Sequence, residues 1–113
     1  MNIQIFGTKK CNDTKKAERY FKERNIKYQF IDMKEKGMSK GEFTSVAQNN
    51  GDIENMLNQD CKDKDALALI KYIAEEDKLE KILANQHVIK TPVVRNGKQS
   101  TLGYMPDVWK TWN

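Results

Sequence analysis

The chain has 113 residues, enough for one compact domain and too few for two ordinary ones. With 38% hydrophobic and 32% charged residues it has the balance of a soluble globular protein, which argues against a disordered chain. The net charge of +4 is uneven: residues 1–40 hold 11 Lys/Arg against 5 Asp/Glu, residues 41–87 hold 5 against 10, and residues 88–113 hold 4 against 1.

Taken in chain order, Ile3, Ile5 and Phe6 predict a short buried strand ended by Gly7. Asn12, Asp13 and Thr14 are good helix starters, and Ala17, Tyr20 and Phe21 form an apolar stripe at whose end Arg24 is placed to snorkel. "IKYQFID" alternates from Ile26 and predicts a second strand, so the first unit is strand–helix–strand with a parallel crossover. A turn-rich link leads to a short helix within Ser39–Asn50, with Ser39 as N-cap and Glu42 as its capping-box partner. Ile53, Met56 and Leu57 suggest a further turn or two, and Leu67 to Leu83 one long helix or two divided near Asp77. Val93 and Val94 run into Asn96-Gly97, a hairpin signal, with Thr101 and Leu102 on the return. Pro106 near a helix N1 opens a last short helix, which Trp109 and Trp112 pack in place. The order is β-α-β, a helical insertion over about 38–87, then β-β-α: one α/β domain over 1–113. The acidic middle between two basic ends fits that insertion.

No apolar run approaches the roughly 20 residues needed to span a bilayer, and "MNIQIFG" has neither a basic leader nor a cleavage site, so neither membrane insertion nor secretion is expected. Two cysteines make no disulfide framework, and with one histidine they fall short of a zinc site; a reducing, cytoplasmic setting without metal is the expectation. The N-terminal lysines alternate with acids along a helix, so they predict a solvated face, and direct nucleic-acid binding is not expected. His87 has no acid at a suggestive spacing and reads as a surface or helix-end residue.

Cys11 is the candidate for chemistry. Between a strand and a helix start it faces free N–H groups, which with the helix dipole stabilise a thiolate. Lys9 and Lys10 add positive charge, and Thr14 can bring a hydroxyl to the sulfur. An inert buried thiol is the alternative, but the polar flanks "KKCND" argue for exposure. Thr91-Pro92 precedes an apolar strand, where a cis proline packed on the cysteine would present backbone to a bound thiol.

"FGTKKCNDTKKA", "LNQDC" and "VIKTPVVRNGKQSTLGY" together resemble the arsenate-reductase-like (ArsC/Spx) branch of the thioredoxin fold, over nearly the whole chain. The resemblance implies a thioredoxin-like core with a helical insertion, Cys11 at the active position and Pro92 as a cis proline. Family arsenate reductases hold their oxyanion with arginines, and at those places this chain has Asp60, Thr91 and Gly103. True arsenate reduction is therefore not expected. The resemblance implies a thiol-dependent oxidoreductase with Cys11 as its single nucleophile, forming a mixed disulfide with glutathione or another thiol in a groove lined by Thr91 and Pro92. If "LNQDC" approaches the site, Cys61 becomes a candidate resolving thiol. The other implied role is a non-catalytic, Spx-like regulator that binds the RNA polymerase α subunit near Gly51. The CxxC switch common among such regulators is here Cys11-Asn12-Asp13-Thr14, so no local disulfide can form. A monomer is expected.

Overall fold

The computed structural model of the protein describes residues 1–112. Strand β1 (Ile3–Gly7) leads into helix α1 (Asn12–Glu23) and strand β2 (Tyr28–Asp32). The insertion holds α2 (Lys40–Asn49), a 3-10 turn at Ile53–Met56, α3 (Lys64–Tyr72), α4 (Glu75–Ala84) and a second 3-10 turn at Gln86–Val88. Strands β3 (Val93–Asn96) and β4 (Gln99–Leu102) and the short helix α5 (Pro106–Trp109) complete the chain. The sheet order is β2-β1-β3-β4, with β2 parallel to β1 and the β3-β4 hairpin antiparallel to it.

The period-2 pattern of the strands splits the apolar residues between two faces. Ile3, Ile5 and Val94 pack with Ala17, Tyr20 and Phe21 of α1 and with Trp109 and Trp112. Phe6, Ile31 and Val93 face the other way, onto Phe43, Val46, Met56, Ile70, Ile82 and Val88 of the insertion. Arg24 lies 3.7 Å over the Tyr20 ring with its head at the surface. The capping box of Ser39 and Glu42 forms as the sequence predicts, and Pro106 occupies the first turn of α5.

Three boundaries differ from the sequence reading, each for a local reason. Strand β2 begins at Tyr28, not Ile26, because Asn25 turns left-handed (φ 57) and Ile26 N–H bonds back to the Phe21 carbonyl at 2.9 Å, a Schellman end to α1. The long helical stretch breaks at Ile73-Ala74, both extended, not near Asp77. Glu75, Glu76 and Asp77 form the first turn of α4, where the helix dipole favours acids. The hairpin loop is Gly97-Lys98, since Asn96 already pairs with Gln99; Gly97 takes the positive φ of 61.

Candidate functional site

Cys11 is the N-cap of α1, in extended conformation (φ −78, ψ 118), with its thiol free of any capping bond. Its carbonyl starts the helix by accepting from Lys15 N–H at 3.2 Å. The Cys11 Sγ lies 3.6 Å from the Thr91 carbonyl, to which the S–H donates. The Thr91-Pro92 peptide is cis, so this carbonyl belongs to the residue just before the cis proline. Pro92 itself is buried beneath the site, and its carbonyl accepts from Gly103 N–H at 2.8 Å.

Under the sulfur sits Thr14, fully buried, its hydroxyl without a partner in the neutral site. It fits only because Gly7 has no side chain: a Cβ at Gly7 would overlap the Thr14 hydroxyl and methyl. Burial of the thiol opposes ionisation and is the largest single influence on it, but the opposing bonds together prevail. The Thr14 and Thr91 hydroxyls and the backbone N–H groups of Thr14 and Asp13 donate to the thiolate, and the Cys11 pKa lies below its ordinary value. The lowering comes from these hydrogen bonds; Lys9 and Lys10, both exposed, do not figure among its causes.

Cys11 opens into a cleft of about 770 Å³ between the core and the insertion. Thr8, Lys10 and Thr91 line it on the core side, and Asn58, Asp60, Cys61 and His87 on the insertion side. Thus the cleft gathers Cys11, Lys10, Thr91 and Cys61, with Thr14 and Pro92 behind its wall and Lys9 outside it. Both cysteines are free thiols, and Cys61 Sγ donates to the His87 carbonyl at 3.6 Å.

His87 is the exposed helix-end residue that the sequence predicts, and it has an acid partner besides. It stands on the 3-10 turn at the end of the insertion, lines the cleft, and holds Asp63 Oδ2 by its Nε2 at 2.7 Å. Spacing along the chain could not show this, because the acid lies 24 residues away. Asp63 also caps α3 by accepting from Ala66 N–H, and the His87 bond followed by this one lowers its pKa.

A sheet of order β2-β1-β3-β4, a cysteine at the first helix start and a cis proline opposite it define a thioredoxin-like fold carrying a helical insertion. The ArsC family matches residues 6–112, and the chain belongs to that family. The protein YusI of Bacillus subtilis is 23% identical over 111 residues, covering 95% of this chain and 94% of that one. Among solved structures, an ArsC family related protein from Bacteroides fragilis superposes with a TM-score of 0.84 at 18% identity, over 100% of this chain and 98% of that one. An arsenate reductase from Vibrio cholerae gives a TM-score of 0.81 at 19% identity, over 96% and 94%. At these identities the likeness is one of fold.

Proposed function

We propose that this protein is a thiol-dependent oxidoreductase in which Cys11 is the single nucleophile. The observation that carries the reading is the buried Thr14 hydroxyl, left without a partner beside the sulfur and free to donate once a thiolate forms. A buried hydroxyl with no bond costs about 1–3 kcal/mol, which a thiolate acceptor relieves. In the reaction the Cys11 thiolate attacks a disulfide, a mixed disulfide forms on Cys11, and one thiolate leaves. Glutathione or another small thiol is the co-substrate. Asp60 in the cleft would repel an arsenate oxyanion, which supports thiol–disulfide exchange over arsenate reduction. The test is thiol–disulfide exchange by the Cys11→Ser variant: loss of activity is expected, and full activity would sink the proposal. Cys61, on the facing wall, is the candidate resolving thiol. Peptide mapping after oxidation expects a Cys11–Cys61 bond if their Cα atoms can come to about 5.5 Å.

A second reading rests on a different place. A depression of about 450 Å³ is floored by Phe43, Ala47, Ile53 and Leu79 and edged by Gly51, whose φ of 105 holds the turn there. It supports a binding role in which this surface contacts the RNA polymerase α subunit. Capture of that subunit in a pull-down, abolished by Gly51→Arg and indifferent to Cys11→Ser, is what this reading expects.

A further inference from the structure

The cleft beside Cys11 has a charge pattern that the family's arginine positions do not explain. Lys10 precedes the cysteine, Lys34 stands in the turn after β2, and Lys62 follows Cys61 in the loop before α3. Three segments far apart in sequence bring three lysines to the lining of one cleft. Among the described residues none of the three has a carboxylate within 4.0 Å, whereas Lys16 and Lys110 elsewhere each hold one and Lys78 holds two. Of the other charged groups at the opening, Asp60 is the one acid lining it, and Asp63 behind is engaged by His87. Among the described residues Asp60 is unpaired as well, so the opening sets three lysines against one acid and its balance is positive.

We propose that Lys34 and Lys62 are specificity-determining residues that select anionic disulfides, those with carboxylates flanking the S–S bond, for attack by Cys11. The inference rests on Cys11 being the nucleophile. Cations around a low-dielectric cleft raise the local concentration of an anion and repel a cation, and salt screens both effects. The carboxylates of the disulfide dock at the rim, while its sulfurs reach Cys11. Cys11 S⁻ then attacks one sulfur, the S–S bond breaks, the Cys11–S–S–R bond forms, and R–S⁻ leaves carrying the electron pair. The anionic groups lie on the substrate's arms and not on its reacting atoms, which accounts for rim lysines in place of arginines at the sulfur.

The test uses the full chain with Cys61→Ser and follows mixed-disulfide formation on Cys11 by mass spectrometry. Three disulfides are compared: oxidised glutathione (anionic), 2-hydroxyethyl disulfide (neutral) and cystamine (cationic). A short peptide of the sequence KKCND supplies their intrinsic rates. Relative to the peptide, the protein is expected to favour oxidised glutathione over cystamine by about tenfold or more at low salt, within the range of electrostatic steering. The preference should collapse in 1 M salt, shrink in Lys34→Gln/Lys62→Gln and reverse in Lys34→Glu/Lys62→Glu. A ratio indifferent to salt and to both variants overturns the inference while leaving Cys11 as nucleophile. A Cys11 no faster than the peptide, even with the neutral disulfide, overturns the nucleophile reading itself. Circular dichroism of the variants, whose lysines are exposed, confirms that the fold is intact.

Discussion

Gly7, Cys11 and Thr14 form a stack in which each residue sets the condition for the next. Gly7 leaves the space, Thr14 fills it with a hydroxyl, and Cys11 receives that hydroxyl when it ionises. The fraction of thiolate depends on donors built into the fold, and the alkylation rate of Cys11 against pH, in a Cys61→Ser background, should have its midpoint below the ordinary thiol value of about 8.5. In Thr14→Val the midpoint should rise, and the rate at pH 7 should fall on the order of tenfold, the worth of one hydrogen bond to a charged group. A midpoint that stays put would show that the helix start alone sets the acidity. The same bonds impose a direction on stability. A folded thiol with a lowered pKa stabilises the protein above its unfolded pKa, and that contribution fades as pH falls through the folded value. Gly7→Ala should destabilise by about 1–3 kcal/mol, the usual cost of overpacking, and raise the alkylation midpoint with it. Chemical denaturation and the same alkylation series measure the two effects. The places of Cys11 and Thr14 were legible in the sequence because strand, cysteine and helix start are adjacent in it. That of Thr91-Pro92 was legible because the proline stands just before an apolar strand and the family resemblance marks it. Gly7 as the space for Thr14 was not, since it takes a contact across the strand–helix turn to see it.

The insertion is closed at its two ends by one side chain. Gln86 accepts from Met38 N–H at 2.7 Å and donates to the Met38 carbonyl at 2.8 Å, so residue 38, where the insertion begins, is stitched to residue 86, where it ends. Met38 is buried, and Gln86→Ala leaves two of its backbone groups without partners. A loss of about 1–3 kcal/mol for each unsatisfied group is the expectation, read as a shift in the denaturation midpoint. The Asp63–His87 pair makes a second stitch, between the start of α3 and the turn at Gln86–Val88. Asp63 has a lowered pKa when folded, so its contribution is present above the unfolded value of about 3.9 and is lost as pH falls through the folded one. The gap in denaturation midpoint between the protein and Asp63→Asn should therefore be open at pH 5 and narrow as the pH falls below about 3.9. A gap constant over that range would mean the pair is not formed in solution. Helices α1, α2 and α5 were readable because period, cap and N1 proline agree there. The break at Ile73-Ala74 was not readable: neither residue is a helix breaker by propensity, and the three acids after it look the same in mid-helix as at a helix start. The two stitches lie beyond sequence reading too, as each joins residues 24 or more positions apart.

For the molecule as a whole, the acidic middle of the chain foreshadowed an insertion, but not how it is held. Its apolar side chains have no core of their own. Phe43, Met56, Ile70 and Ile82 rest on Phe6, Ile31 and Val93, which belong to the sheet. Asn50 of the cap of α2 reaches Ser100 of β4 at 3.2 Å. The opposite face of that sheet carries Trp109 and Trp112, whose indoles report on the other cluster. If the sheet is the shared floor of both clusters, the insertion cannot melt while the tryptophan side stays folded. Denaturation followed by tryptophan fluorescence and by far-ultraviolet circular dichroism, which is dominated by the helices, should then trace one coincident transition. Ile82→Ala sharpens the test. Ile82 is fully buried in the insertion, and its truncation is expected to cost about 2–5 kcal/mol. That loss should move the fluorescence curve as far as the dichroism curve, although no atom of Ile82 belongs to the tryptophan cluster. Curves that separate, with dichroism falling first, would mark the insertion as its own unit of stability and Cys11 as lying on the border between two units. The cleft would then open and close with the insertion, and the reactivity of Cys11 would follow that opening in place of its own titration.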